Sequence, residues 1–304
     1  MYRILLVDDE PNVLNALRRE LQGDYAVEAF SNPHEALQHC QKTRFDLAIV
    51  DYKMPEMTGV EFLSQFGKLQ PDAVRLMLSG EADFKALIDT INEAHIDRFI
   101  SKPWNLIELT LTLAFALAQR EQVLKNQRLK DACSNLPNRQ QAQNSERVYR
   151  VLVVDDEPNV LSAIARELNA CSGLKAPRVI VSHQGEQSSR DLHFNVFTSA
   201  SAIKALELAK QSSYDVVISD YRMPEMDGLH FLEAFSEIQP DAARILLSGN
   251  ADKDALVNAI NYSNIYSFLS KPWNEYMLRN TLAQAILYRD LLHENRLLAE
   301  QAEG

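Results

Sequence analysis

The chain is poor in the features that would place it in a membrane, on nucleic acid or around a transition metal. No apolar run approaches the ~20 residues a bilayer span needs, and the opening Met1-Tyr2-Arg3-Ile4 reads as the start of a strand, not of a signal peptide. Lys and Arg number 31 against 42 Asp and Glu, a net charge of −11. That balance argues against direct nucleic-acid binding, which wants clustered cations. Only three cysteines occur, Cys40, Cys133 and Cys171, and they lack metal-ligand spacing. They read as reduced thiols of a cytoplasmic protein, with no zinc site and no disulfide framework.

What is present is an ordinary globular composition, 46% apolar and 24% charged. The 304 residues suffice for about two domains of ~150 residues each. An internal repeat accounts for both. Asp51-Tyr52-Lys53-Met54-Pro55-Glu56-Met57-Thr58-Gly59 returns as Asp220-Tyr221-Arg222-Met223-Pro224-Glu225-Met226-Asp227-Gly228. Leu5–Leu14 returns as Leu152–Leu161, Leu78-Ser79-Gly80 as Leu247-Ser248-Gly249, and Ser101–Asn105 as Ser270–Asn274. So long a period means duplicated domains, not short stacked repeats.

The spacing of the copies shifts once. Asp8 and Asp155 stand 147 residues apart, whereas Asp51 and Asp220, like Lys102 and Lys271, stand 169 apart. The second copy therefore carries 22 extra residues, placed at about 170–191 by matching Ala36-Leu37 to Ala205-Leu206. Within them Arg178–Val181 reads as an extra strand and the polar Ser182–Arg190 as a loop. The insertion is either a tolerated surface addition or a partner-specific surface.

Apolar runs alternate with amphipathic stretches in each copy. In the first, strands are expected at Ile4–Val7, Ala26–Phe30, Leu47–Val50, Val74–Leu78 and Asp97–Ile100. Helices are expected at Pro11–Leu21, Pro33–Cys40, Gly59–Phe66, Phe84–Asn92 and from Leu106. Such alternation predicts an α/β fold, a doubly wound five-stranded parallel sheet with helices on both faces. The domains expected are 1–120 and 148–289, with helical extensions at 121–147 and 290–304. Each last helix outruns what its domain needs, reaching about Asp131 and Ala302. The tails are lone solvated helices or short coiled coils joining two chains into a homodimer, and the heptads are too few to choose.

Strand ends carry the chemistry. They deliver Asp8 and Asp9 after the first strand, Asp51 after the third, Ser79 after the fourth and Lys102 after the fifth. The carboxyl ends of the strands share one edge of a doubly wound sheet, so three carboxylates, a hydroxyl and an ammonium converge there. Clustered carboxylates call for a cation, and oxygen-only donors select a hard ion such as Mg²⁺. Such a site suits phosphoryl transfer onto a carboxylate, with metal and lysine neutralising charge on the phosphoryl oxygens. Singly, each piece is more often bland: Asp-Asp a helix cap, Lys-Pro a loop, Ser-Gly a turn. Five pieces in order, twice, are not a coincidence.

With these motifs at these spacings, both copies resemble receiver domains of two-component response regulators. The resemblance implies a flavodoxin-like fold and phosphoryl transfer from a histidine kinase or phosphotransfer protein to Asp51 and Asp220. It implies Mg²⁺ held by Asp9 and Asp156 directly, by Asp8 and Asp155 through water, and by the backbone carbonyls of Lys53 and Arg222, with Asp51 and Asp220 completing the set. Lys102 and Lys271 would pair with the phosphoryl group, each followed by a cis peptide to proline. Ser79 and Ser248 take the switch-hydroxyl position, and Phe99 and Phe268 the switch-aromatic one, where phenylalanine offers ring rotation but no hydroxyl contact.

The resemblance points to signalling by contact with a downstream effector protein, as an adaptor or phosphate sink, with no enzymatic turnover beyond self-phosphorylation and dephosphorylation. A second reading is a regulatory subunit controlling a separate cyclic-dinucleotide cyclase or phosphodiesterase. A third, a Mg²⁺-dependent small-molecule phosphatase, is disfavoured because Lys53 and Arg222 stand where an acid/base carboxylate is needed.

Overall fold

The computed structural model describes residues 1–80, 96–133, 147–169, 174–175, 191–249, 265–273 and 275–303. The chain divides into two compact units, with the boundary between Leu124 and Lys125. The helix expected at Phe84–Asn92 and the strand expected at Arg178–Val181 lie outside the described residues.

The first unit runs β1 (Arg3–Val7), α1 (Pro11–Leu21), β2 (Ala26–Phe30), α2 (Pro33–Cys40), β3 (Leu47–Asp51), α3 (Gly59–Leu69), β4 (Val74–Gly80), β5 (Arg98–Lys102) and α4 (Leu106–Cys133), whose residues beyond Leu124 belong to the second unit. Its strands are all parallel, in the order β2-β1-β3-β4-β5. This is the flavodoxin-like order. Burial on both faces explains the unbroken apolar runs of β1 and β3. Ile4, Leu6, Leu47 and Ile49 pack with Leu14, Leu17 and Leu21 of α1 and Leu109, Leu113 and Leu117 of α4. The alternate residues Leu5, Ala48, Val50 and Met77 are buried too, as are Phe62 and Phe66 of α3.

Local chemistry sets the helix starts. Pro11 opens α1, where its missing N–H costs nothing. Asn32 accepts hydrogen bonds from the N–H groups of His34 and Glu35 to start α2, and Thr58 with Glu61 forms a capping box for α3.

The second unit repeats the plan with β6 (Val148–Val154), α5 (Pro158–Asn169), β7 (Leu174–Lys175), β8 (Asp191–Ser199), α6 (Ala202–Gln211), β9 (Val216–Asp220), α7 (Gly228–Ile238), β10 (Ala243–Ser248), β11 (Ser267–Ser270) and α8 (Glu275–Glu303). The five parallel strands take the order β11-β10-β9-β6-β8. The insertion adds the two-residue β7, antiparallel to β8 at the sheet edge. The five parallel strands expected are all present, and β7 is an addition at their edge.

A glutamine, buried in the first domain and half-buried in the second, closes the base of each domain. Gln70, 2% exposed, accepts a hydrogen bond from the Phe45 N–H at 2.7 Å and donates to the carbonyls of Cys40 and Thr43 at 2.9 and 2.7 Å. Gln239 does the same with Tyr214, Ala209 and Ser212. Each joins the end of one helix to the connection ahead of the central strand. Gln70→Ala should therefore lower stability by about 2–4 kcal/mol, since three backbone groups lose their partner; the urea midpoint reads this.

Asp97 generates a pH dependence. Its carboxylate accepts the Arg75 N–H at 2.7 Å, and its side chain is 18% exposed. Burial pushes the carboxyl up to about 6, against the pull of the Arg75 guanidinium. The folded state thus holds this proton more tightly than the unfolded chain, whose carboxyl titrates near ~3.9. The stability it contributes is fully present below the unfolded value and is lost as pH rises through about 6. Asp97→Asn should flatten that part of the stability–pH curve and leave the variant more stable at neutral pH, by about 1–2 kcal/mol after allowance for solvent screening. Urea titrations from pH 4 to pH 7 would check it.

Candidate functional site

Strand register brings the acidic residues together. Val7 lies abreast of Val50, so Asp8 and Asp51 leave neighbouring strands side by side. Val154 and Ser219 pair likewise, ahead of Asp155 and Asp220. On the other flank of β3, Asp51 pairs with Leu78, and the next steps pair Ser79 with Ser101 and Gly80 with Lys102.

Lys102 bridges the two carboxylates. Its Nζ lies 2.8 Å from Asp8 Oδ2 and 2.5 Å from Asp51 Oδ1. Lys271 makes the same bridge, at 2.7 Å to Asp155 Oδ2 and 2.6 Å to Asp220 Oδ1. The second oxygens are held by backbone. Glu10 N–H donates to Asp8 at 2.8 Å and Lys53 N–H to Asp51 at 2.9 Å. Glu157 and Arg222 do so for Asp155 and Asp220 at 2.8 and 3.0 Å.

Burial pushes the Asp8, Asp51 and Asp220 carboxyls above the usual carboxylate range, although the lysines pull them down. Burial also works against the two ammonium groups, yet their hydrogen bonds to the aspartates raise both lysines above the ordinary value. The two directions oppose each other within one cluster. The lysines stay charged in either case, and the desolvated carboxylates remain short of positive charge.

The remaining expected residues divide. Asp155, Asp156 and Asp220 present oxygens within 4.8 Å of one another, a set of hard donors suited to a hard cation. Their counterparts Asp8, Asp9 and Asp51 stand at the corresponding strand ends of the first receiver. Ser79 and Ser248 are buried on the same edge, and the Ser79 hydroxyl donates to the Gly80 carbonyl at 3.2 Å. Phe99 and Phe268 are half-buried on β5 and β11. The peptides Lys102-Pro103 and Lys271-Pro272 are cis, as the resemblance implies.

Two features of the loop after β3 went unread in the sequence. Tyr52 N–H donates to the Leu78 carbonyl and Gly59 N–H to the Tyr52 carbonyl, both at 2.9 Å, folding the loop back on the strand. Glu56 and Glu225 take φ of 69°, a left-handed conformation that strains a side-chain-bearing residue. Their identical place in both nonapeptides was the available signal.

A family model described as the response regulator receiver domain matches residues 4–114 and 178–283, more than half of the chain. The chain belongs to the response regulator receiver family. The second match begins beyond β6 and α5, yet these hold the places in the second receiver that β1 and α1 hold in the first. Over 101 residues the chain is 38% identical to the hydrogenase transcriptional regulatory protein HoxA of Cupriavidus necator, covering 33% of this chain and 21% of HoxA. It is 37% identical over 111 residues to the C4-dicarboxylate transport transcriptional regulatory protein DctD of Rhizobium meliloti, covering 36% and 24%. The chain thus spans about a quarter of the length of these curated relatives or less. Among solved structures, the signal receiver domain of an HD domain-containing protein from Pseudomonas fluorescens Pf-5 is 28% identical, covering 47% of this chain and 98% of that one, with a TM-score of 0.39. Among the described residues no helix is long and apolar enough to cross a membrane.

The loop of each receiver tolerates no side chain at its last glycine. A Cβ on Gly59 would overlap the Asp51 carbonyl oxygen, and one on Gly228 the Asp220 carbonyl oxygen. Gly59→Ala should cost roughly 1–3 kcal/mol through overpacking and displace the Asp51 backbone; the urea midpoint and the Asp51 amide resonance would report both.

Proposed function

We propose that the chain is a two-component response regulator with two working receivers, 1–120 and 148–289, extended by helical segments at 121–147 and 290–304. Asp51 and Asp220 accept the phosphoryl group. A carboxylate oxygen attacks phosphorus, the bond from phosphorus to the phosphohistidine nitrogen of a histidine kinase or phosphotransfer protein breaks, and an acyl phosphate remains on the aspartate. Lys102 and Lys271 neutralise the phosphoryl oxygens, and Ser79 and Ser248 donate a hydroxyl to them. Mg²⁺ is the cation proposed, held by Asp8, Asp9, Asp51 and the Lys53 carbonyl, and by their counterparts Asp155, Asp156, Asp220 and Arg222; when bound it supplies charge stabilisation for the transfer.

The observation that carries this reading is the doubled bridge. In each receiver one ammonium spans two buried carboxylates at the strand ends. Phosphorylation adds about −1.5 to −2 charges there. The serine and loop follow the new oxygens, Phe99 or Phe268 turns inward, and the altered surface contacts an effector protein in the cytoplasm. The extended helices are the surface proposed for that effector or for a second copy of the chain.

Intact-protein mass after incubation with Mg²⁺ and acetyl phosphate tests the proposal. Wild type should gain two phosphoryl groups, and Asp51→Asn and Asp220→Asn one each. A wild type that gains none while still binding Mg²⁺ would remove the phospho-acceptor reading.

A further inference from the structure

One contact recurs in both receivers beside the lysine and has no part in the transfer just described. The Trp104 indole N–H donates to Glu20 Oε2 at 2.8 Å, and the Trp273 indole N–H to Glu167 Oε2 at 3.0 Å. Each tryptophan is the second residue after its lysine, across the cis lysine–proline peptide. Each ring packs on its domain's core, Trp104 beside the cluster holding Leu14 and Leu17 and Trp273 beside that holding Leu161 and Ile164. The glutamates come from the last turns of α1 and α5. A carboxylate there opposes the helix dipole, which favours cations at that end. Helix stability therefore gives no reason for a glutamate in this place.

The pairing also survives the shift in spacing. The two glutamates stand 147 residues apart and the two tryptophans 169, so the contact was kept across the 22-residue insertion. In each receiver the lysine–proline–tryptophan segment is consequently tied twice to the β1–α1 or β6–α5 region. The ammonium holds the aspartate before the helix, and the indole holds the glutamate at its far end.

We infer that Trp104 with Glu20, and Trp273 with Glu167, are positioning residues that fix the loop carrying the site lysine. The tryptophan anchors the backbone just past the lysine, so that the ammonium reaches both carboxylates without sampling other rotamers. The inference deepens the phospho-acceptor reading and rests on it for its catalytic consequence, whereas the placement of the lysine stands apart from it.

The test uses the full chain and takes one receiver as the control for the other. Trp104→Phe keeps the ring and removes the donor; Glu20→Ala removes the acceptor from a half-buried helix position; Glu20→Gln keeps a neutral acceptor. Two quantities are read site by site by peptide mass spectrometry: acylation of Lys102 and Lys271 by an amine-reactive ester, and the initial phosphorylation rate at Asp51 and Asp220 with acetyl phosphate and Mg²⁺. Trp104→Phe and Glu20→Ala should speed Lys102 acylation severalfold and slow Asp51 phosphorylation on the order of tenfold, as misplacement of a catalytic group does. Lys271 and Asp220 should be unchanged, and Glu20→Gln should behave like wild type. Unchanged Lys102 acylation in both Trp104→Phe and Glu20→Ala would overturn the inference. A Glu20→Gln variant as impaired as Glu20→Ala would overturn it too, by assigning the effect to charge. Absence of phosphate on wild type would sink the phospho-acceptor reading alone, because the acylation arm still decides the placement of the lysine.

Discussion

Two carboxylates at the ends of adjacent parallel strands repel each other and lose their hydration together. Asp8 beside Asp51, and Asp155 beside Asp220, are tolerable because one ammonium spans each pair. Much of the architecture answers that requirement. The register of β1 on β3 sets the aspartates abreast, and β5 must end on the same edge for Lys102 to arrive. Backbone N–H groups from the following turns occupy the oxygens the lysine leaves. The result is a cluster whose charge is only partly balanced, and that imbalance is what gives an added cation or phosphoryl group its leverage.

The chain contains its own comparison, since contacts that matter should appear in both receivers despite the insertion. Several do. Gln70 and Gln239 close the same three backbone groups. Arg120 reaches Asp46 at 3.1 Å and Arg289 reaches Asp215 at 3.0 Å, each joining the last helix to the start of the central strand. Others do not. The Arg75–Asp97 contact has Arg244 and Tyr266 in its place, and Thr58 with its capping box is replaced by Asp227. Shared contacts hold up the site edge and the sheet base; the divergent ones lie where the receivers can be tuned apart.

The element order was legible because both signals were strong: apolar strands of about five residues alternating with amphipathic helical stretches, the first opened by Pro11. The aspartates, serines and lysines were legible because they terminate those strands twice over. Strand order was not, since no local pattern says that β1 lies between β2 and β3. Gln70 was invisible as well. One polar residue after a helix looks like surface, and only the fold around it turns it into a buried junction. The pair β7 is too short to show alternation. Trp104 and Glu20 are 84 residues apart and each ordinary alone, so their meeting belongs to tertiary structure.

The insertion of the second receiver falls between α5 and β8. Helix-to-strand connections in a doubly wound sheet return to the amino ends of the strands, the edge opposite the acidic cluster. Across that added length the second receiver keeps Val154 beside Ser219 and Lys271 on both Asp155 and Asp220. The acidic edge of a receiver is thus insulated from the length of one helix-to-strand connection, and two copies of one site can differ in chain length while keeping the same bridge.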